Sequence, residues 1–379
     1  MLEGQRNCYM NNIYKKGSDF VQRKIDAIDE ELRKLKLNER QQVTRHQQRY
    51  LETSIIRKAQ IIATTLSSCN NDQIVNALTD NGREHPSITC CIIDEAAQCN
   101  ETELLLPLTL DVSKMILVGD PLQLTATTFS QVSRDMKYGK SLFSRIYKVW
   151  ENNEGVTSTS PINFLDTQYR MHPSIASWPS RHIYKGRLKN NNLFQKNSEL
   201  NSYMLINHNF QQSRERETNY WEAQLVVSLA FSILKKPSSE ENMRIGIITP
   251  YANQRIMMQS EIHKRSDNEG DYGSRLEVNS IDGFQGQERD VIIVSMVRSE
   301  GIGFMNEIER INVMLTRAEK CLLVCANFNA FLSNHIWKDL YEDGSRRKRV
   351  FSINDYDDKK FDELLDTIYA KRRRVRRNE

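Results

Sequence analysis

From residue 60 onward, short apolar runs alternate with longer stretches in which apolar and polar positions mix at helical spacing. The runs are QIIATTL (60–66), ITCCIID (88–94), KMILVGD (114–120), MRIGIITP (243–250), RLEVNSID (275–282), RDVIIVSMV (289–297) and KCLLVCA (320–326). Each reads as a buried strand. YWEAQLVVSLAFSILKK (220–236) and YANQRIMMQSEIHKR (251–265) read as helices between them. Buried strands alternating with helices predict parallel sheets covered by helices on both faces, an α/β fold. Residues 15–60 follow another rule. Ile25, Ile28, Leu32 and Leu35 form one helical stripe at 3-4-3 spacing, Gly17 is the one glycine, and there is no proline. With a bend at KLNERQQ, this predicts two antiparallel helices forming a stalk; a plain helical hairpin packed on a core has the same pattern. The polar stretch ENNEGVTSTSP (151–161) marks the expected boundary between two sheets.

Composition changes this picture little. A chain of 379 residues is long enough for two domains, and 39% hydrophobic with 27% charged residues suits a globular protein. No apolar run approaches the roughly 18 residues that cross a bilayer, and the N-terminus lacks the apolar core of a secretory signal. The chain reads as intracellular, with no membrane partner. Its seven cysteines are odd in number and contain no C-x-x-C pair. Cys90, Cys91, Cys321 and Cys325 lie inside apolar runs, which favours small buried hydrophobes over a zinc site. The net charge is only +4, but the stalk region has 12 Lys and Arg against 7 Asp and Glu. Six of the seven residues from Lys371 to Arg377 are also basic. Such a tail serves as a nuclear import signal, a phosphate-binding arm or a solvated terminus.

The chemistry gathers at the ends of the runs. Asp94 closes one, so its carboxylate emerges at the C-terminal edge of a sheet, where α/β proteins bind ligands. Asp94 suits Mg²⁺ and Glu95 suits proton abstraction from water, although a helix cap has the same appearance. The next run ends in GDPLQL, where Gln123 can donate and accept at once. In QYRMHP, Tyr169 offers a stacking face and Arg170 a planar fork for phosphate. Gly283 and Gly286 permit close backbone approach in SIDGFQGQERD, and Glu288 can accept from a ribose hydroxyl. In NVMLTRAEKCLLV, Arg317 follows a helix and precedes a strand, placed to reach phosphates at a domain interface.

In this order, DEAAQ, GDPLQL, QYRMHP, SIDGFQGQERD and NVMLTRAEKCLLV resemble the later motifs of superfamily 1 helicases, in the senataxin-like branch related to the helicase of nonsense-mediated decay. The resemblance runs from about residue 15 to about residue 340. It implies two RecA-like parallel-sheet domains of the P-loop NTPase type, with a helical stalk inserted in the first. The implied organisation is a remnant at 1–14, the stalk at 15–60, a partial first domain at 61–150, a linker at 151–161, a second domain at 162–342, and an extension with the basic tail at 343–379. Carried over to this chain, Asp94 serves Mg²⁺, Glu95 activates water and Gln123 senses the γ-phosphate of ATP. Tyr169 stacks on adenine, Arg170 and Arg317 contact phosphates, and Glu288 holds the ribose. Thr64, Thr65 and Ser67 in TTLSS, with Pro250, Tyr251 and Ser280, are the implied nucleic-acid contacts. The implied activity is that of an ATP-driven motor moving 5′ to 3′ on single-stranded RNA or DNA and resolving RNA:DNA hybrids in RNA processing or transcription termination. The implied location is the nucleus, with a cytoplasmic RNA-decay role as the alternative.

One element of the pattern is missing. The phosphate loop G-x-x-x-x-G-K-[ST] should precede the stalk, yet none of the 15 glycines sits in such a motif. The first domain therefore reads as truncated on its N-terminal side, with ATP and Mg²⁺ binding only weakly. Leu122 also stands where the family carries a lysine, which puts one phosphate or nucleic-acid contact in doubt. Three readings follow: a fragment of an active helicase, a non-catalytic nucleic-acid-binding protein, or a protein-interaction fragment.

Overall fold

The structure, a computed structural model, describes residues 26–31, 45–78, 88–152, 161–191, 198–213, 217–236, 242–269, 273, 275–303, 305–354 and 356–369. Most of the stalk stripe (Ile25, Leu32, Leu35), residues 153–160 of the expected linker, and the tail from Lys371 to Arg377 lie outside them. The chain divides into two compact units. The first comprises Met1–Cys91 with Leu105–Met115, and the second Ile92–Leu104 with Ile116–Glu379.

In the first unit, the helix Arg45–Lys58 lies against the helix Asp72–Leu78. Arg57 ties the pair together by donating through Nε to the Ala77 carbonyl at 3.3 Å. Cys69, Ile74 and Leu110 form a small core, with Ile56, Val75, Leu78, Ile88, Leu106 and Val112 packed on it. The run QIIATTL is not a strand. Residues 60–65 are irregular, and Ile61 is 88% exposed. A strand needs a neighbour to close its backbone hydrogen bonds, and this run has no ladder partner among the described residues. Cys90, expected to be buried, is exposed.

The second unit is built on six parallel strands: β5 (Tyr203–His208), β6 (Ile245–Ile248), β7 (Leu276–Asn279), β8 (Arg289–Ser295), β9 (Ala318–Ala326) and β10 (Val350–Ile353), in the order β10-β5-β9-β8-β6-β7. Side chains on neighbouring positions of a strand point to opposite faces, and here both faces are covered. Ile292, Val294, Leu322 and Val324 enter one core, closed by the helices Pro173–His182, Ile308–Leu315 and His335–Arg346. Val291, Ile293, Cys321 and Leu323 enter the other, under the helices Tyr220–Lys235 and Asp358–Ile368. Each such Ile, Leu or Val contributes about 1.5–3 kcal/mol by leaving water, which is why consecutive positions in the middle of β8 and β9 are apolar. Val350–Ile353 and the helix after it fall in the stretch 343–379 expected to be an extension; they supply an edge strand and part of a core instead. Short strands at Cys91–Ile93 (β1) and Met115–Leu117 (β2) form a second sheet, and Thr167–Gln168 (β3) and Lys189–Asn190 (β4) a third.

Candidate functional site

Asp94 and Glu95 follow β1 directly, and both are exposed. The Glu95 backbone is left-handed (φ 53°), and its N–H donates to Asp94 Oδ1 at 2.9 Å. The turn continues into Ala96 and Ala97, buried at 0% and 2%, with Ala96 N–H bonded to the Val118 carbonyl. Gly119 presses against this turn. A Cβ there would lie 3.1 Å from both Ala96 N and Ala97 N, so glycine permits the approach that sets the loop GDPLQ beside DEAA.

Asp120 organises that loop. One carboxylate oxygen accepts from Leu122 N–H at 2.9 Å; the other accepts from Gln123 Nε2 at 2.9 Å and from the Tyr184 hydroxyl at 2.6 Å. Asn312, fully buried, donates to the Leu122 carbonyl and to the Tyr184 oxygen at 2.9 and 2.8 Å. Burial, then the Asp120 charge, pushes the Tyr184 phenol well up, so it remains a donor. Leu122 packs against the core.

The arginines gather at the C-terminal end of the helix Ile308–Leu315, where unpaired carbonyls favour cations. Arg317 is 2% exposed and donates through Nε to the Val313 carbonyl at 3.0 Å. Its Nη2 reaches Gln123 Oε1 at 3.2 Å and Thr316 Oγ1 at 3.0 Å. Among the described residues no carboxylate forms an ion pair with it. Burial pulls its guanidinium down to about 10 and Arg170 pushes the same way, while Tyr184, Glu95 and Asp120 oppose them. Arg170 donates to the Thr316 carbonyl at 3.2 Å and pairs with Glu288 at 2.6 Å. Its turn is shaped by Gln168, whose Oε1 accepts from the Arg170 and Met171 N–H groups. Tyr169 projects beside it, 61% exposed.

The structure thus joins Gln123 to Arg317 and Arg170 to Glu288, and sets Glu95 within electrostatic reach of Arg317. The sequence places these residues on two sheets with a cleft between them, yet all fall in the second compact unit. The contacts that hold the GDPLQ turn there run through Tyr184 and Asn312, and Gln168 shapes the Arg170 turn; the motifs pointed to none of the three in these roles. An asparagine in the apolar stretch INVML was the available signal for Asn312. The implied nucleic-acid residues fall in both units. Thr64, Thr65 and Ser67 are exposed in the first unit. Pro250 and Ser280 follow β6 and β7 and are partly exposed. Tyr251 is 3% exposed, so its ring presents no open face.

The arrangement offers two guanidiniums and an amide to an anion, an open aromatic face beside them, and carboxylates nearby. Among the described residues no group of three or more His, Cys, Asp or Glu is placed to hold a metal ion unaided. A magnesium ion would take Asp94 as a hard oxygen donor and draw its other oxygens from elsewhere.

Two models described as AAA domains match residues 6–131 and 138–329. The chain is 32% identical over 318 residues to a Mus musculus protein named probable helicase senataxin, covering 80% of this chain and 12% of that protein. It is 33% identical over 319 residues to helicase sen1 of Schizosaccharomyces pombe, covering 79% and 18% respectively. Regulator of nonsense transcripts 1 of Dictyostelium discoideum is 30% identical over 308 residues, covering 77% of this chain and 22% of its own. The chain therefore spans less than a quarter of the length of these relatives.

Proposed function

The chain belongs to the senataxin-like superfamily 1 helicases, and from that premise we propose that it forms the ATP-responsive, nucleic-acid-binding part of a motor that moves 5′ to 3′ on single strands and separates RNA:DNA hybrids in the nucleus. The six-stranded sheet is the second RecA-like domain, and residues 61–150 are part of the first. Asp94 takes Mg²⁺, which supplies charge neutralisation for the phosphates, and Glu95 accepts the proton of the attacking water. Gln123 senses the γ-phosphate, Arg170 and Arg317 neutralise charge developing on the phosphates, and Tyr169 stacks on the base. Glu288 holds the ribose. Because Arg170 pairs with Glu288 at 2.6 Å, nucleotide binding exchanges that ion pair for contacts to phosphate and sugar.

The observation that carries this reading is Arg317, a buried guanidinium whose hydrogen bonds among the described residues all go to neutral groups. A buried cation costs free energy unless an anion meets it, and a phosphate between Arg317, Arg170 and Gln123 meets that need. The test is the change in melting temperature produced by ATP with Mg²⁺. The wild-type chain should be stabilised at millimolar ATP, and Arg317→Ala and Arg170→Ala should lose that response. Equal stabilisation of Arg317→Ala would overturn the reading.

A second reading is a nucleic-acid-binding protein that does not hydrolyse ATP. The 379 residues contain no G-x-x-x-x-G-K-[ST] motif to hold the β-phosphate, and the relatives extend well beyond the matched length. The two readings differ in ATP hydrolysis and agree in the binding of single strands.

A further inference from the structure

We propose that Arg298 is a phosphodiester contact for single-stranded nucleic acid, presented at the C-terminal edge of the six-stranded sheet by a strained turn at Val297; this rests on the nucleic-acid binding proposed above. Val297 lies just beyond β8 with φ 68°, a conformation that a β-branched residue rarely adopts. The Arg298 N–H donates to the Met296 carbonyl at 2.7 Å, closing a three-residue turn of the rare strained kind. Buried side chains clamp this turn from both sides. Glu222 Oε1 accepts from Val297 N–H at 2.8 Å, and Asn219 Nδ2 donates to the Val297 carbonyl at 3.2 Å. Both clamping residues are 0% exposed, and Glu222 is itself fixed by His208 Nε2 at 2.6 Å and Ser295 Oγ at 2.5 Å. Strain so heavily supported aims the residue that follows.

That residue is a cation with an unmet donor and a loosely held one. Arg298 Nη1 lies 3.6 Å from Glu217, beyond hydrogen-bond distance, and Glu217 is itself half exposed. Arg298 Nε is buried and has no hydrogen-bond partner among the described residues. The loop after it bends closely around the guanidinium. Gly301 and Gly303 are left-handed (φ 66° and 58°), and a Cβ at Gly303 would lie 2.3 Å from the Tyr251 hydroxyl and 3.5 Å from Arg298 Nε. Because the strands are parallel, Arg298 emerges on the same sheet edge as Pro250 and Ser280, which follow β6 and β7; β6 is the immediate neighbour of β8, and β7 is next to β6. Arg317 and Glu288, by contrast, precede β9 and β8 and lie at the opposite edge. A planar fork held only by one long ion pair suits a phosphate oxygen pair, and a chain of phosphates passing along this edge would meet Pro250, Ser280 and Arg298 together.

The test is fluorescence anisotropy of a short fluorescein-labelled oligouridylate with the full 379-residue chain across a salt series. Arg298→Gln should weaken binding about tenfold, and the log–log salt slope should become shallower by about 0.7, the value for one phosphate on a single strand. Arg298→Lys should keep the slope while recovering only part of the affinity, because it retains charge without the fork. Glu217→Gln, which removes the nearest competing carboxylate, should tighten binding, and it decides the matter should Arg298→Gln melt early. Wild-type affinity and slope in Arg298→Gln, or unchanged binding in Glu217→Gln, would overturn this assignment. Failure of the wild-type chain to bind the oligonucleotide would instead overturn the nucleic-acid reading beneath it.

Discussion

Replacing Glu222 with alanine should destabilise the protein severely, because this carboxylate holds three groups that water cannot reach. His208 Nδ1 accepts from Phe210 N–H at 3.2 Å, so the imidazole proton sits on Nε2 and points at Glu222. Alanine leaves that N–H and the Val297 N–H buried and unpaired, at about 1–3 kcal/mol each. Loss of a buried methylene adds about 0.8 kcal/mol, while removal of a buried charge returns part of the cost. The expected loss is therefore roughly 3–6 kcal/mol, a large part of the 5–15 kcal/mol that folded domains possess. Glu222→Gln should lose about half as much, since its oxygen still serves Val297 but its amide faces the His208 donor. Urea denaturation read by tryptophan fluorescence measures both, with Trp178 and Trp337 buried in the core of the same unit. A loss below about 1 kcal/mol for Glu222→Ala would refute the claim that this network supports the Val297 turn.

The other predictions concern pH and the ion pairs. Burial, with Asp120 next, holds the Tyr184 phenol up, so the folded chain keeps a proton that an unfolded tyrosine releases near pH 10. Stability should therefore fall as pH rises past about 10, and Tyr184→Phe should remove part of that fall, although Arg317 acts in the opposite sense over the same window. Burial pushes Asp343 up, but Arg181 and Arg347 outweigh it and leave its carboxyl below the ordinary value. Its stabilising effect is present above about pH 4 and is lost as pH falls, so Arg181→Gln should shift acid unfolding to higher pH. Glu288→Gln should change the melting temperature little, because a half-exposed pair is worth less than about 1 kcal/mol. It should still reduce stabilisation by ATP relative to inorganic triphosphate, which has no ribose to hold.

Six of the seven runs, those holding β1, β2 and β6 to β9, were legible in the sequence because the middle of a buried strand is largely apolar. The same rule should have disclosed β5, YMLINH, whose polar ends His208 and Asn207 disguised it; His208 is buried against Glu222, and Asn207 accepts from Phe328 N–H. QIIATTL misled in the opposite direction, since β-branched composition describes a preference and only a neighbouring strand turns it into structure. The site residues were proposed from the resemblance of their motifs. Their pairings were not. Arg170 and Glu288 lie 118 positions apart, and Gln123 and Arg317 lie 194 apart. Glu222 gave a usable signal, a carboxylate inside the apolar stretch YWEAQLVV, and Val297 gave none, because left-handed backbone in a valine leaves no mark in composition.

We propose that Glu95 and Arg317 belong to one ATP-hydrolysing site that also needs a phosphate loop. Steady-state ATP hydrolysis, with Mg²⁺ and single-stranded RNA, tests it most directly on two proteins: the 379-residue chain, and the same chain joined to an upstream segment carrying G-x-x-x-x-G-K-[ST]. Turnover should be near background for the first and clear for the second, abolished there by Glu95→Gln or Arg317→Ala with RNA binding retained. Robust turnover by the 379-residue chain alone, or undiminished hydrolysis by the joined chain carrying Arg317→Ala, would contradict it.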